Sequence, residues 1–299
     1  MNFCIDAACA SQIGRVRGNN EDNFLFDSTV MPTDNRGQKV PLYLFGEREQ
    51  NVCMAVFDGM GGGDFGEVAS YTAADRFRAL LSGDGKQEIP FQSVVEEMNR
   101  SVWQMKKQLN ARQMGTTMAA VCLRGRHIHF CNVGDSRIFV LRNNRLVQVS
   151  LDHTDEAYMK AHNITGRKPR LTQYLGMDPS EVLLQPHVTG GIPESGDVIL
   201  LCSDGLTDMV SQQRIEQILT AGGTAGACVQ ALVNEALNNG GKDNVTVIVC
   251  RILEQTGQWS EDDDTDTSKD PMAGLGDQPV SGWRQLWQRI RDTADTYLK

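Results

Sequence analysis

One stretch decides the fold: Val56-Phe57-Asp58-Gly59-Met60-Gly61-Gly62-Gly63. It ends an apolar run that begins at Val52, and the run is typical of a β-strand. Asp58 therefore lies at the edge of a sheet, where a carboxylate can leave the core and meet a cation. The glycines after it leave the backbone unscreened, so that carbonyl groups can also reach a ligand. The alternative is an ordinary hairpin turn at Asp58-Gly59.

The same arrangement recurs along the chain, which makes an ordinary turn the weaker interpretation. Three further aspartates flank apolar runs, in Asn132-Val133-Gly134-Asp135, Leu200-Leu201-Cys202-Ser203-Asp204-Gly205 and Gly241-Lys242-Asp243-Asn244. Carboxylates and carbonyls are the ligands that Mg²⁺ and Mn²⁺ prefer. The five histidines show no zinc-like spacing. The pattern predicts a site for hard divalent cations.

These segments occur with others in a recognisable order. The others are Gly14-Arg15-Val16-Arg17-Gly18-Asn19-Asn20-Glu21-Asp22, Met114-Gly115-Thr116-Thr117, Leu151-Asp152-His153 and Leu171-Thr172-Gln173-Tyr174-Leu175-Gly176. Together they resemble the metal-dependent protein phosphatases of type 2C, over about residues 13–249. The form with Met60 after Asp58-Gly59 is similar to bacterial members, since many eukaryotic members have histidine there.

The resemblance implies an α+β fold, a four-layer α-β-β-α sandwich whose two central antiparallel sheets bind metals at one edge. The periodicity of the sequence agrees. Strands are predicted at residues 3–10, 23–26, 52–57, 117–123, 127–133, 138–141, 197–202 and 245–252, and helices at 67–81, 90–109, 211–219 and 224–238. Residues 28–51 are predicted to form an extended hairpin excursion. Strand runs and helix runs are segregated, as in α+β proteins.

The resemblance also assigns metal ligands. Asp58 would bridge two Mn²⁺ or Mg²⁺ ions, and the carbonyl of Gly59 would bind one of them. Asp204 and Asp243 would hold the other ion. For the remaining ligand, Glu21 and Asp22 are both candidates, and the sequence does not choose between them.

Further roles follow from the same resemblance. Asp135 would form a weaker third metal site with Asp204, and Arg17 would bind the substrate phosphate through its planar guanidinium. Met60 cannot donate a proton. We expect His153 to bind nearby backbone rather than to act as an acid.

The implied activity is hydrolysis of phosphoserine and phosphothreonine in proteins by a water that two metal ions activate. Phosphorylated proteins would be the substrates and a bacterial Ser/Thr kinase the opposing partner. The alternative is a phosphoprotein-binding scaffold that kept the fold without catalysis. Against it, the complete set of acids has no use in a scaffold.

Composition limits the other possibilities. The 299 residues carry a net charge of −9, which argues against nucleic acid as a substrate. The eight cysteines include no C-x-x-C pair, and most lie in apolar runs, Cys53 and Cys122 among them, so we expect buried thiols rather than disulfides. No signal peptide or membrane span is predicted. We therefore expect a cytoplasmic monomer engaged in signalling.

Two local patterns need a separate interpretation. Gly61-x-Gly63-x-x-Gly66 matches the dinucleotide-binding G-x-G-x-x-G, but a second helix follows where a nucleotide fold needs a strand. Residues 152–171 take the place of the family's flap, beside the active site. Three cations near its end, Arg167, Lys168 and Arg170, either steer acidic phosphopeptides or belong to a solvated loop.

The catalytic domain is predicted to span residues 1–253. Residues 254–280 have the composition of an acidic, disordered linker, and from Glu254 onward the chain has ten acidic but only five basic residues. Residues 281–299 are predicted to form an amphipathic helix with Trp283 and Trp287 on its apolar face. That face would dock on the domain, on a partner or on a membrane surface.

Overall fold

The computed structural model describes residues 2–48, 52–61, 65–81 and 90–256. The strands are β1 Asn2–Gln12, β2 Asp22–Leu25, β3 Leu42–Arg48, β4 Val52–Met60, β5 Gly115–Thr116, β6 Met118–Arg124, β7 His127–Val133, β8 Arg137–Arg142, β9 Arg145–Gln148, β10 His187–Gly191, β11 Val198–Cys202 and β12 Val245–Thr256. The helices are α1 Gly66–Leu81, α2 Phe91–Gln108, α3 Glu156–Ala161, α4 Asp204–Thr207, α5 Gln212–Thr220 and α6 Ala225–Asn238.

The strands form two antiparallel sheets. The first sheet has the order β3-β1-β12-β11-β8-β9, and the second has the order β10-β7-β6-β4-β2, with β5 paired to β4. Helices α1 and α2 pack on the outer face of the second sheet, and α4, α5 and α6 pack on the outer face of the first. The predicted α+β, four-layer sandwich is confirmed.

Alternate residues of each central strand enter different cores. In β4, Met54 and Val56 face the core between the sheets, whereas Ala55 and Phe57 face α1 and α2. Both faces of the strand are therefore apolar, which explains its continuous apolar sequence. The same alternation in β12 sends Ile248 toward the other sheet and Val247 toward α6.

Helices α5 and α6 begin after residues whose side chains satisfy a free backbone N–H group. The side chain of Ser211 accepts a hydrogen bond from the N–H of Arg214 at the start of α5, and Thr224 does the same for Ala227 at the start of α6. Among the residues that the structure describes, α2 is the next element after α1, with no strand between them. The interpretation of the glycines as part of the Asp58 loop, rather than of a nucleotide fold, is thereby supported.

Residues 28–51 differ from the expected hairpin excursion. They contribute β3, which pairs with β1 at the edge of the other sheet. Leu44 points into the core between the sheets, while Tyr43 and Phe45 on either side of it are exposed. An edge strand with one buried face alternates in this way, so residues 42–48 belong to a sheet.

The prediction that the cysteines are all thiols was wrong for one pair. Cys53 in β4 lies directly opposite Cys122 in β6, with a Cα–Cα distance of 4.2 Å, and the two form a disulfide. Directly opposite residues of an antiparallel pair come this close, and the sequence does not reveal the register that makes them opposite. Cys131, Cys202 and Cys250 are buried and free, as expected.

The end of the domain also differs slightly from the prediction. Strand β12 continues to Thr256, so residues 254–256 pair with β1 rather than begin the linker. The rest of the predicted linker and the helix at residues 281–299 lie outside the described residues. In the ranges given above, no helix is long and apolar enough to cross a membrane.

Candidate metal centre

Asp58 is held by threonines of the neighbouring β5–β6 segment. Its backbone N–H donates to the hydroxyl of Thr117 over 3.0 Å, and its carbonyl accepts from the N–H of Thr117 at 2.9 Å and from the hydroxyl of Thr116 at 2.9 Å. The hydroxyl of Thr117 in turn contacts that of Ser136 at 2.6 Å. Both threonines thus fix the backbone that carries Asp58.

Glycine is required directly after Asp58. An added Cβ on Gly59 would lie 2.3 Å from the carbonyl oxygen of Glu21 and 2.2 Å from that of Gly66. The N–H of Gly59 also donates to the carbonyl of Glu21 at 3.1 Å. The missing side chain therefore lets the Glu21 loop, the end of β4 and the start of α1 meet at one point.

The first sheet brings a second pair of acids together in the same manner. Asp204 follows β11 and Asp243 precedes β12, and these two strands are neighbours. A Cβ on Gly205 would lie only 1.9 Å from the carbonyl oxygen of Asn244. The two loops are in backbone contact, so the positions of Asp204 and Asp243 depend on each other.

Asn244 joins this loop to the one that carries Glu21. Its side-chain amide donates to the carbonyls of Ile13 and Asn19, both at 2.9 Å, and its side-chain oxygen accepts from the N–H of Glu21 at 2.8 Å. Asn244 is buried. Asn244, directly after Asp243, thus ties the Asp243 loop to the Glu21 segment.

Asp22 connects the two sheets. It pairs in register with Asp58 across β2 and β4, and its carboxylate accepts a hydrogen bond of 2.7 Å from the hydroxyl of Ser203, just ahead of Asp204. Its side chain is only 1 % exposed. A buried hydrogen bond between the sheets thus fixes the distance between Asp58 and the Asp204 loop.

The aspartates interact electrostatically as one group. Burial raises the pKa of Asp58 well above its usual range, and the charges of Asp22, Asp204, Asp135 and Asp243 raise it further. Burial and neighbouring acids also raise the pKa of Asp22 to about 7 and that of Asp135 to about 6. Each negative charge makes ionisation of the neighbouring carboxyl groups less favourable. A bound cation stabilises the ionised form of all of them.

Glu21 lies at the margin of this group. Burial raises the pKa of its carboxyl, the charge of Glu67 raises it further, and Arg17 lowers it. The carboxylate lies beside Gly66, where a Cβ would be 2.7 Å from Oε2. Glu21 thus faces the start of α1 next to Gly59, whereas Asp22 points into the space between the sheets.

The donors fit hydrated hard cations. Among the described residues, no three acidic, cysteine or histidine side chains already surround a common point. Mg²⁺ does not need such a cage, because it usually keeps several waters and takes only one or two carboxylates. The oxygen-only donors around Asp58 therefore suit Mg²⁺ or Mn²⁺ with part of their water shell.

Arg17 lies at the rim of the group. Its guanidinium donates to the carboxylate of Asp243 over 2.6 Å, and its side chain is 52 % exposed. The hydrogen bond to Asp243 raises the pKa of Arg17, with smaller contributions from Glu21 and Asp58. The guanidinium is therefore close to the acids and still open to solvent.

His153 has a structural position, as predicted. Its Nδ1 accepts a hydrogen bond from the N–H of Gly134 at 3.1 Å, and its backbone N–H donates to the carbonyl of Gly134 at 3.0 Å. Gly134 directly precedes Asp135. The histidine therefore fixes the turn that carries Asp135 and joins it to the start of the flap.

The sequence missed two members of the site, Lys168 and Asp208. The ammonium of Lys168 lies 2.5 Å from Oδ2 of Asp204 and 2.7 Å from Oδ2 of Asp208. One signal was present: Asp208 follows Asp204 by four residues, the spacing that places two side chains on one helix face. Nothing in the sequence indicated that a flap lysine would reach them.

A family model described as protein phosphatase 2C matches residues 42–238. The chain is 31 % identical to the serine/threonine phosphatase stp of Listeria monocytogenes, over 82 % of this chain and 95 % of the relative. It is 29 % identical to the serine/threonine protein phosphatase PstP of Mycobacterium tuberculosis, over 98 % of this chain. The chain spans 55 % of the length of that relative.

Solved structures agree with the fold. A crystal structure of the M. tuberculosis PstP matches with a TM-score of 0.68 and 27 % identity, over 84 % of this chain and all of that one. A structure of the PstP catalytic domain with two manganese ions matches with a TM-score of 0.65 and 26 % identity, over 85 % of this chain and all of that one. With the fold, the strand-end acids and the family model in agreement, the chain belongs to the protein phosphatase 2C family.

Proposed function

We propose that this chain hydrolyses phosphoserine and phosphothreonine monoesters in proteins, with two Mn²⁺ or Mg²⁺ ions bound where the two sheets end. The observation that carries the proposal is that acids of both sheets meet at one end: Asp22 pairs in register with Asp58 and accepts a hydrogen bond from Ser203, directly before Asp204. Family membership supports it, as do the named phosphatase relatives and the manganese-bound PstP structure.

We propose ligand roles that the family resemblance suggests and that the positions of the acids support. Bound divalent ions supply positive charge that lowers the pKa of water and neutralises the phosphoryl group. Asp58 would serve both ions, a role supported by the acids of both sheets whose charges act on its carboxyl. Asp204 and Asp243, on loops in backbone contact, serve one ion, and the carbonyl of Gly59 serves the other.

We assign the remaining ligand role to Glu21 and an orienting role to Asp22. Asp22 is buried and already accepts a hydrogen bond from Ser203. Glu21 lies beside Gly59, whose carbonyl is proposed to bind the same ion, and its side chain is only half-buried. A carboxylate at the margin of the site can reach an ion directly, whereas the buried one holds a water or a neighbouring ligand in place.

Arg17 is proposed to bind the phosphate of the substrate. Its half-exposed guanidinium is anchored on Asp243 and retains N–H groups that can face a bound phosphate. Met60 follows Gly59 and has no proton to give. The proton for the departing serine or threonine oxygen therefore comes from solvent water at the site.

Phosphoproteins made by a Ser/Thr kinase are the proposed substrates, with that kinase as the functional partner. We further propose that residues 281–299 dock on this domain or on a partner through the Trp283 and Trp287 face. The monomeric state and the cytoplasmic location stay predictions.

The test is hydrolysis of p-nitrophenyl phosphate and of a phosphothreonine peptide, with and without Mn²⁺. We expect Mn²⁺-dependent turnover that Asp58→Asn lowers by at least about tenfold, a barrier change of about 1.4 kcal/mol. The control is Asp178→Asn, which changes an aspartate whose side chain binds Ser180 in a surface turn. Peptide binding without Mn²⁺-stimulated turnover in the unmodified chain would favour the scaffold alternative.

A further inference from the structure

One lysine of the flap, Lys168, contacts a proposed metal ligand. Lys168 Nζ lies 2.5 Å from Asp204 Oδ2 and 2.7 Å from Asp208 Oδ2. Asp204 and Asp208 are joined by a backbone hydrogen bond of 2.8 Å, so that they form one short acidic face at α4. The ammonium bridges both carboxylates of this face.

The surrounding flap holds Lys168 in this position. Asp155 forms an ion pair of 2.6 Å with Arg167 and accepts the N–H of Arg170 at 2.7 Å. The backbone N–H groups of Asp155 and Thr172 donate to carbonyls of Arg170 and His153. The residues on both sides of Lys168 therefore contact the start of the flap. These contacts hold the backbone of Lys168 in the position from which its side chain reaches Asp204.

Lys168 also acts on the third acid of this region. Burial and the charge of Asp204 raise the pKa of Asp135, while the charge of Lys168 lowers it. The side chain of Lys168 is 54 % exposed, and a lysine ammonium is charged at neutral pH. The ammonium therefore stays charged, and it lies among the carboxylates that the family resemblance assigns to a weak third metal ion.

We propose that Lys168 takes the place of that third ion: its ammonium supplies the positive charge beside Asp135 and Asp204 and excludes a divalent cation there. The inference rests on the proposed function, since it takes the two other ions as given. A divalent ion on the same side of Asp204 would have to approach an ammonium that already contacts Oδ2, and like charges at that separation repel. The flap thus sets the number of ions.

The test counts Mn²⁺ ions on the full chain by equilibrium dialysis and titration calorimetry. Lys168→Met keeps an unbranched side chain and removes the charge. We expect this variant to bind one more Mn²⁺ per chain than the unmodified protein, or to bind its weakest ion at least about tenfold more tightly. Lys168→Arg keeps the charge and should bind the same number as the unmodified protein.

Two control variants test whether the loss of a lysine charge elsewhere in the chain also adds an ion. Lys160→Met removes a lysine of α3 that forms an ion pair of 2.9 Å with Glu156. Lys107→Met removes a lysine of α2 whose ammonium lies 4.7 Å from the centroid of the Trp103 ring. We expect neither to gain an ion, and circular dichroism checks that each variant is folded. If Lys168→Met does not fold, Lys168→Gln replaces it.

Three results would overturn the proposal: a third Mn²⁺ on the unmodified chain with the ammonium present, an unchanged count in the uncharged Lys168 variants, or an equal gain in either control. The count does not depend on turnover. A chain that binds Mn²⁺ and gains an ion in Lys168→Met but hydrolyses no phosphoester would contradict the proposed function and leave this inference standing.

Discussion

The close contact between Gly205 and Asn244 gives a sharp test of how the metal centre is positioned. In Gly205→Ala the new Cβ would lie 1.9 Å from the carbonyl oxygen of Asn244, whereas real Cβ atoms stay at least 3.0 Å from such neighbours. The obstacle is backbone, which cannot rotate away. The loops that carry Asp204 and Asp243 must therefore separate by roughly 1 Å.

The expected magnitude follows from that displacement. Inserting a methyl group into a packed region costs about 1–3 kcal/mol of stability. A shift of about 1 Å in a group that positions the reaction can lower the rate by about 10²-fold, which corresponds to roughly 2.7 kcal/mol in the barrier. We therefore expect Gly205→Ala to lose more in turnover and Mn²⁺ affinity than its loss of stability explains.

The assay is a Mn²⁺ titration of p-nitrophenyl phosphate hydrolysis, beside the thermal unfolding midpoint of each protein. Gly226→Ala is the matched control, because its Cβ would lie 2.1 Å from the ring of Tyr43, away from the acids. Tyr43 is exposed and can swing aside, so this variant should keep its turnover. Turnover of Gly205→Ala within about threefold of the unmodified chain would refute the argument that this backbone contact positions the acids.

Two further predictions concern the buried polar groups. Because the pKa of Asp22 rises from 3.8 to about 7 on folding, the folded state holds more protons, and stability in chelator should fall as the pH rises from about 4 to 7. Asp22→Asn should flatten this fall in thermal unfolding, and an equally steep fall in the variant would contradict the assignment. Asn244→Ala leaves three backbone groups without their hydrogen-bond partner, and each unsatisfied group costs about 1–3 kcal/mol of stability. The variant should bind Mn²⁺ more weakly in titration calorimetry, and unchanged affinity would show that the hydrogen bonds of Asn244 do not position the acids.

The sequence predicts the central strands well because both of their faces are buried. Strand β4 is apolar at almost every position, and its predicted start at Val52 is the observed one. Edge elements were missed because they are short and half-buried. Strand β10 spans His187–Gly191, contains two glycines, and has no fully buried residue, so its apolar signal is weak.

The positions of Asp58, Asp204 and Asp243 near strand ends could be predicted because the strands that they adjoin are strongly apolar. To predict where Asp58, Asp204 and Asp243 lie, it was enough to predict β4, β11 and β12. Lys168 could not be found in this way. Its contact with Asp204 depends on how a polar loop folds back over 36 residues of sequence, and a lysine in such a loop has no periodic pattern to indicate its direction.

The place of β12 in the first sheet has a consequence for the order of folding. This strand lies between β1 and β11, and it pairs Asn2 with Thr256. During synthesis β1 has no central neighbour until residues 245–256 have been made, so the sheet is completed by contacts of very large sequence separation, which form slowly. Asp243 directly precedes the same strand. We therefore expect tight Mn²⁺ binding to appear only in the last phase of refolding, when the first sheet closes.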